Sequence, residues 1–471
     1  MEPRSLQYVC AACSGELAQG SPELTVTQLS TDSRQVRPNC LFFALEGERF
    51  DAHDFLEQVA QAGAAAVVAN RAKWKGRRLN CAAIVVEDTR WALGQLATRY
   101  RQDYQAVCVA VCGSNGKTTT KELLASVLGV KLKTLWSEAS FNNDVGVPLT
   151  LLHLELGHQA AVLEAGTNHP GELRPLLGMI QPRIGILTSI GREHLEFFKN
   201  IEGVAREEGT VAEILPENGA LIMNGDTDWA DAIAERTSAK VIRAGFGDRN
   251  DWRLTKTRLD ATGVDFQVSA PIERFSGEYR VNLLGRHQAG NALLAIITGA
   301  ELGLSAGEIR QGLLNCQPPR MRMQSWTANG VRILDDSYNA NADSMLAALQ
   351  TLREMPCTGR RIAVLGDMAE LGEQTSEAHR EIGKRTAELG INFLIAVGHW
   401  AEETVFAARA AGLQQAEARV DIASGTAFLQ TIIRSGDVIL LKASRAAGFE
   451  KISQALGGTG GRNVNDDSKN N

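Results

Sequence analysis

The sequence predicts an α/β protein of three units built on mostly parallel sheets. Three observations carry this reading. Residues 107–128 read as a buried strand, a Gly-rich loop and an amphipathic helix. Short apolar runs alternate with helical patterns beyond them, the order that produces parallel strands joined by helices. The chain has 471 residues, more than one domain usually holds, and Cys316-Gln-Pro318-Pro319-Arg320 marks a shift in composition at a stiff hinge.

The strand–loop–helix stretch organises the rest. Val107-Cys-Val-Ala-Val111 is an apolar run of strand length. Cys112-Gly113-Ser114-Asn115-Gly116-Lys117-Thr118-Thr119 follows. A helix is expected over Thr119–Leu128, with Leu123, Leu124, Val127 and Leu128 on one stripe. This is the layout of a phosphate cradle. Glycine lets backbone approach an anion closely, and the N–H groups of the loop and helix start face it. Lys117 is expected to reach the outer phosphates of a nucleotide, and the Thr118 hydroxyl to meet Mg²⁺. The loop is not the full G-x-x-x-x-G-K-[ST] signature, since position 111 is Val.

Hydrophobic content of 44% and charged content of 22% are those of a globular chain. A net charge of −6 argues against a nucleic-acid partner. No apolar run approaches the ~20 residues of a membrane span, and Met1-Glu-Pro-Arg-Ser5 opens no signal peptide. The eight cysteines are scattered, and Cys10-x-x-Cys13 has no second pair to complete a zinc site. Reduced thiols and a cytoplasmic location are expected.

Residues 1–85 form a small first α/β unit. Thr31-Asp32-Ser33-Arg34 is a polar turn, Cys40–Leu45 a strand and 46–53 a loop. Asp54 is expected to cap a helix running to Gly63, before a buried strand over Ala64–Ala69. Ser33, Arg34 and His53 suit an anionic ligand, the alternative being an ordinary solvated loop. A central unit spans 86–315. Thr89 is expected to cap a helix bearing Trp91, Leu93, Leu96 and Tyr100. Strands are expected at 107–111, 160–164, 184–188 and 219–223. In such sheets ligands gather at the carboxyl ends of the strands. Glu164 stands where one strand stops and His194 just past another, so both are expected beside Thr118. Oxygen donors such as Glu164 and Thr118 suit Mg²⁺; an imidazole is a less usual ligand. Asn142 and Asn143 precede a Pro-started helix and are candidate substrate contacts, the alternative being turn chemistry. A third, smaller α/β unit covers 316–456, with strands at Val331–Leu334, Arg361–Leu365, Phe393–Val397 and Val438–Leu441. Residues 457–471 are polar, Gly-rich and expected to be disordered.

Together these motifs resemble the Mur ligases of bacterial cell-wall synthesis over nearly the whole chain. Gly113–Thr119 resembles the family's ATP loop. Glu164 and His194 match its Mg²⁺ positions, and Gly285-Arg-His-Gln-Ala-Gly-Asn291 its adenine-side motif. Asp335-Asp-Ser-Tyr-Asn-Ala-Asn341, Val364–Gly372 and Thr31–Arg34 with Phe50–Asp54 point to substrates UDP-N-acetylmuramoyl-tripeptide and D-alanyl-D-alanine. The Asp-Asn-Pro-Arg motif of the diaminopimelate-adding relative is absent.

The resemblance implies a monomeric, ATP- and Mg²⁺-dependent ligase that works through an acyl phosphate. It implies a first unit that binds the UDP end through Ser33 and Arg34, a P-loop-type central unit and a closing Rossmann-like third unit. By the same match, Asn291 flanks adenine, Arg322 reaches the nucleotide from the third unit, and Asp336 meets the ribose or phosphate side.

Glu208 occupies the position, fourteen after His194, where many members carry a carbamylated lysine. It brings two anionic oxygens on a side chain roughly 4 Å shorter, and is expected to serve a second Mg²⁺ through water; the alternative is a solvated helix face. Gln288, Met321 and the 442–445 turn also depart from the family pattern. Another Mur-type or folylpolyglutamate-type ligase with a different amine acceptor, or a nucleotide-binding switch, are the competing readings.

Overall fold

The computed structural model describes residues 1–47 and 50–457. The expected disordered tail lies outside these residues apart from Gly457, as do Glu48 and Arg49 of the 46–53 loop. Three large sheets carry the fold, which is α/β throughout.

The first is five-stranded, in the order Glu16–Gln19, Ala82–Val86, Ala66–Asn70, Cys40–Phe43, Gln28–Ser30. Only the Glu16–Gln19 edge is antiparallel. Asp54 does not cap the helix here. Asp51 accepts from the His53 N–H and starts a short 3-10 turn, Ala52–Phe55, that leads into the helix Leu56–Gln61. Thr89 likewise gives way to Asp88, which accepts from the Arg90 and Trp91 N–H groups and caps Thr89–Arg101. In both cases the carboxylate one residue outside the first turn has the reach to satisfy its free N–H groups. The buried face of Thr89–Arg101 (Leu93, Leu96, Tyr100) joins Leu41 and Phe43 of the first sheet to Cys108 and Leu177 of the central unit in one core.

The central sheet has nine strands. Val107–Cys112 lies between Ala160–Glu164 and Ile184–Leu187, parallel to both. The expected neighbourhood of Glu164 and His194 follows from this order. Beyond Ala220–Asn224 and Lys240–Gly245 the sheet ends in Trp252–Leu259, Val264–Ser269 and Gly277–Val281, the last two added antiparallel. That antiparallel extension was not expected. The helices Lys117–Leu128 and His287–Glu301 cover one face of the sheet.

The third sheet has six strands, with only the Gln324–Ala328 edge antiparallel. Its helices Ala342–Glu354 and Thr375–Glu388 turn buried faces toward Leu195, Phe198 and Val204 of the central unit. The third unit is thereby seated against the mouth of the central one. Among the described residues no helix is long and apolar enough to cross a membrane.

Candidate active site

The site is built where the central strands end. The helix expected from Thr119 begins two residues earlier, at Lys117, because Gly116 takes the left-handed conformation (φ 87°) and acts as its N-cap. No side chain caps it, so its first N–H groups remain available to an anion. Gly113 is also left-handed (φ 115°), and a Cβ there would lie 2.4 Å from Thr188 Oγ1 and 2.8 Å from Ser189 O. Only glycine lets the loop lie this close to the segment after Ile184–Leu187.

Lys117 points back into the loop and donates to Gly113 O at 2.5 Å. Its Nζ is 3.6 Å from Glu193 Oε2 and 4.0 Å from Glu208 Oε1. Burial works against its charge, but Glu193, Glu208 and Glu164 outweigh this and raise its pKa. Glu208 is fully buried, which removes the solvated-face alternative. Its Oε2 accepts from the Gly113 N–H at 2.6 Å. Burial, helped by Glu193 and opposed by Lys117, pushes its carboxyl up to about 8.

Three buried carboxylate oxygens here have no hydrogen-bond partner: Glu164 Oε2, Glu193 Oε1 and Glu208 Oε1. Buried, unpaired carboxylate oxygens are costly, so the donor set fits a cation bound through oxygen. Among the described residues no three His, Cys, Asp or Glu side chains form a metal cage. Mg²⁺ takes one or two protein carboxylates and completes its shell with phosphate and water. His194 Nδ1 is bonded to Glu370 of the third unit. That is the carboxylate–imidazole pairing that orients metal-binding histidines.

Ser114, Asn115, Gly116, Lys117, Thr118 and Thr119 line one cavity of about 1610 Å³. Asn142, Asn143, Glu164, His194 and Asn291 line it too, as do Arg322 and Asp336. A single drug-sized ligand needs roughly 300–1,000 Å³, so this space admits more than one. Arg322 Nη2 donates to Thr118 Oγ1 at 3.1 Å, and its guanidinium stacks 4.2 Å from the Tyr338 ring centroid. Asp336 accepts from the Met323 N–H and from Lys442 Nζ. Asn341 Nδ2 reaches Asn115 Oδ1 at 3.0 Å. The third unit is thus closed onto the loop.

Other predicted residues stand differently. Asn142 Nδ2 donates to Glu164 Oε1 at 2.9 Å, fixing that carboxylate. Asn143 Oδ1 accepts from the Gly146 N–H at the start of the helix Gly146–Leu151, a turn role. Ser33 and Arg34 lie outside the cavity lining, in a 3-10 turn of the first unit. There the exposed Arg34 guanidinium donates to both Asp32 oxygens, at 2.9 and 2.7 Å. His53 is buried and bonded to Asp51 and the Asn70 N–H, so it is structural rather than open to a ligand. Sequence reasoning missed Glu193. The same strand-end argument that singled out His194 applies to its neighbour.

Fold and loop define a phosphate-binding α/β protein whose cleft is completed by a closing unit. Comparison with known proteins narrows this class. The sequence profile of the Mur ligase middle domain matches residues 111–299. That of the Mur ligase glutamate ligase domain matches 321–445, and that of the Mur ligase family catalytic domain 25–101. The UDP-N-acetylmuramoyl-tripeptide–D-alanyl-D-alanine ligase of Escherichia coli is 37% identical, over 96% of this chain and 98% of its own. The Bacillus subtilis enzyme of the same name is 33% identical, over 97% and 99%. A crystal structure of MurF from Acinetobacter baumannii superposes with a TM-score of 0.88 at 32% identity, over 97% and 99%. The chain belongs to the Mur ligase family.

Proposed function

We propose that this chain is an ATP-dependent, ADP-forming ligase that joins D-alanyl-D-alanine to UDP-N-acetylmuramoyl-tripeptide in cell-wall precursor synthesis. It acts as a single chain in the cytoplasm. The observation that carries the reading is the placement of Lys117: first residue of its helix, beside three carboxylates, in one cleft with Arg322 and Asp336 of the closing unit. The relatives named for this reaction, which align over nearly their whole length, support it. So does a MurF from Thermotoga maritima solved with ADP, at 26% identity and a TM-score of 0.79.

The tripeptide's terminal carboxylate attacks the γ-phosphorus of ATP. The bond to the ADP oxygen breaks and an acyl phosphate forms. The amine of D-alanyl-D-alanine then attacks the acyl carbon, phosphate leaves and the nitrogen loses a proton. Phosphoryl transfer is mostly positioning and charge neutralisation. The loop N–H groups and Lys117 hold the phosphates, and Arg322 adds positive charge when the third unit closes. Asn291 flanks adenine and Asp336 faces the ribose side. Thr118, Glu164 and His194 would hold Mg²⁺, with Glu208 reaching a second ion through water; bound Mg²⁺ supplies further charge neutralisation. Closure also keeps water from the acyl phosphate. In the same proposal residues 1–85 hold the UDP end, with Ser33 and Arg34 at that subsite, 86–315 bind nucleotide and 316–456 close.

Phosphate release with ATP, Mg²⁺ and UDP-N-acetylmuramoyl-tripeptide, with and without D-alanyl-D-alanine, tests the reading. Release that depends on the dipeptide is expected. A panel of other amine acceptors is expected to give little; release that ignores the dipeptide, or prefers another acceptor, overturns the assignment.

A further inference from the structure

Residues 188–194 lie between the phosphate loop and the third unit and are bonded to both. On one side they are laced to the phosphate loop. The Ser114 N–H donates to Ser189 O at 2.8 Å and the Asn115 N–H to Ser189 Oγ at 2.9 Å. The Gly191 N–H donates to Ser114 Oγ at 2.9 Å. On the other side the same segment is gripped by the third unit. The Arg192 N–H donates to Asp343 Oδ2 at 2.7 Å and its Nε to Asp343 Oδ1 at 2.9 Å. Arg192 Nη1 donates to Glu381 Oε2 at 2.7 Å. Asp343 lies in the first turn of Ala342–Glu354, and Glu381 in Thr375–Glu388.

Gly191 permits this sandwich. A Cβ there would fall 2.7 Å from Asp343 Oδ2 and 3.3 Å from Asn115 Nδ2. Two residues on, Glu193 turns inward to Lys117, and His194 turns out to Glu370 of the third unit. Grip on Arg192 therefore bears on the backbone that carries Glu193.

We propose that Arg192 is a positioning residue that couples seating of the third unit to the geometry around Lys117. Its side chain is not among those that line the cleft. Asp343 and Glu381 seize it on closure, and the segment it anchors holds Ser114, Asn115 and Glu193 in their reactive places. One exposed ion pair contributes little. Here two half-buried carboxylates accept from the guanidinium and the main-chain N–H of one residue, and charge-assisted, multiply bonded contacts of this kind are the stronger class. The inference rests on the proposed ligase reaction for its turnover measurement alone.

The test uses the full chain and the variants Arg192→Ala, Glu381→Ala and the double variant. ATP-analogue binding by calorimetry, small-angle scattering with and without the analogue plus Mg²⁺, thermal unfolding and steady-state turnover are measured. Arg192→Ala is expected to lower kcat at least tenfold and to weaken ligand-induced compaction. Analogue affinity should change less than threefold and Tm should hold. Glu381→Ala should give a smaller loss in the same direction, and the double variant should be no worse than Arg192→Ala. Arg192→Lys should restore part of kcat. Normal kcat and compaction in Arg192→Ala, or a fall in Tm and analogue affinity that parallels the loss of kcat, would overturn the coupling. If wild type itself lacks dipeptide-dependent turnover, the ligase reading fails instead; binding and scattering still decide the coupling.

Discussion

The phosphate-loop cleft and the Asp32–Arg34 turn are both proposed anion sites, yet they are built in opposite ways. The cleft draws on residues hundreds of positions apart, and Lys117 and Glu208 are deeply enclosed within it. The turn is local: Asp32 sets Arg34 from two residues away, and the Arg34 side chain is 84% exposed. Interactions shielded from water are strong and depend on every partner, whereas an exposed charge is screened and replaceable. Substitutions in the cleft should therefore damage chemistry, and substitutions in the turn should affect only binding.

The largest expected effect is that of Lys117→Ala. Loss of one charge contact to a transferring phosphoryl group costs about 2.7–4 kcal/mol, roughly a hundred- to a thousandfold in rate. The measurement is dipeptide-dependent ADP formation, with circular dichroism to establish that the variant is folded. Near-normal turnover would remove the distinction between the two sites at its root. Next comes Asn142→Ala. Asn142 holds one Glu164 oxygen while the other is buried without a partner. Glu164 is a proposed Mg²⁺ ligand, and loss of a residue that orients a metal ligand typically weakens metal affinity about 10–100-fold. The Mg²⁺ concentration for half-maximal activity is expected to rise by that order, with kcat largely recovered at high Mg²⁺.

Much of the cleft could be read from residue order, and the reason is local. An apolar run, two glycines and an amphipathic helix specify a strand–loop–helix without help from the rest of the chain. The exact start of the helix could not be read, because Lys117 enters it only through the left-handed turn at Gly116. Arg192 looks like an ordinary solvated charge. Its partner Asp343 lies in Ala342–Glu354, some 150 residues later, and no local pattern encodes that. Val264–Ser269 was legible and missed: Val264, Phe266 and Val268 are buried at alternate positions, the period of a half-buried strand. Asp88 and Asp51 displaced the expected caps because each sits one position outside its turn.

Acid–base behaviour sharpens the contrast between enclosed and open charge. Burial first, then Glu193, raises the Glu208 carboxyl to about 8 from an ordinary 4.5. In metal-free, nucleotide-free protein the folded state therefore keeps a proton that the unfolded chain has already lost. Its contribution to stability is present at low pH and fades as pH rises through about 8, by at most about 1.4 kcal/mol per pH unit. Glu208→Gln keeps an acceptor for the Gly113 N–H but cannot ionise. Its Tm should depend less on pH between about 5 and 9 than that of wild type. Equal slopes in the two proteins would mean that Glu208 is ionised throughout. The same pair tests its substitution for a carbamylated lysine: wild-type activity should not require added bicarbonate.

The smallest expected effect is at the turn. Arg34→Ala should raise KM for the UDP-linked substrate about two- to fivefold, the weight of a solvent-exposed charge contact, and leave kcat and Tm unchanged. A rise in KM alone identifies binding shared equally by ground state and transition state. Asp32 is the natural control, because its carboxylate orients the guanidinium and is held below its usual pKa chiefly by Arg34. Asp32→Asn should free the guanidinium and give a smaller rise in KM than Arg34→Ala. If Arg34→Ala instead lowered kcat as much as kcat/KM, the turn would be contributing in the transition state. An open, locally built charge would then be acting with the reach expected only of the enclosed cleft.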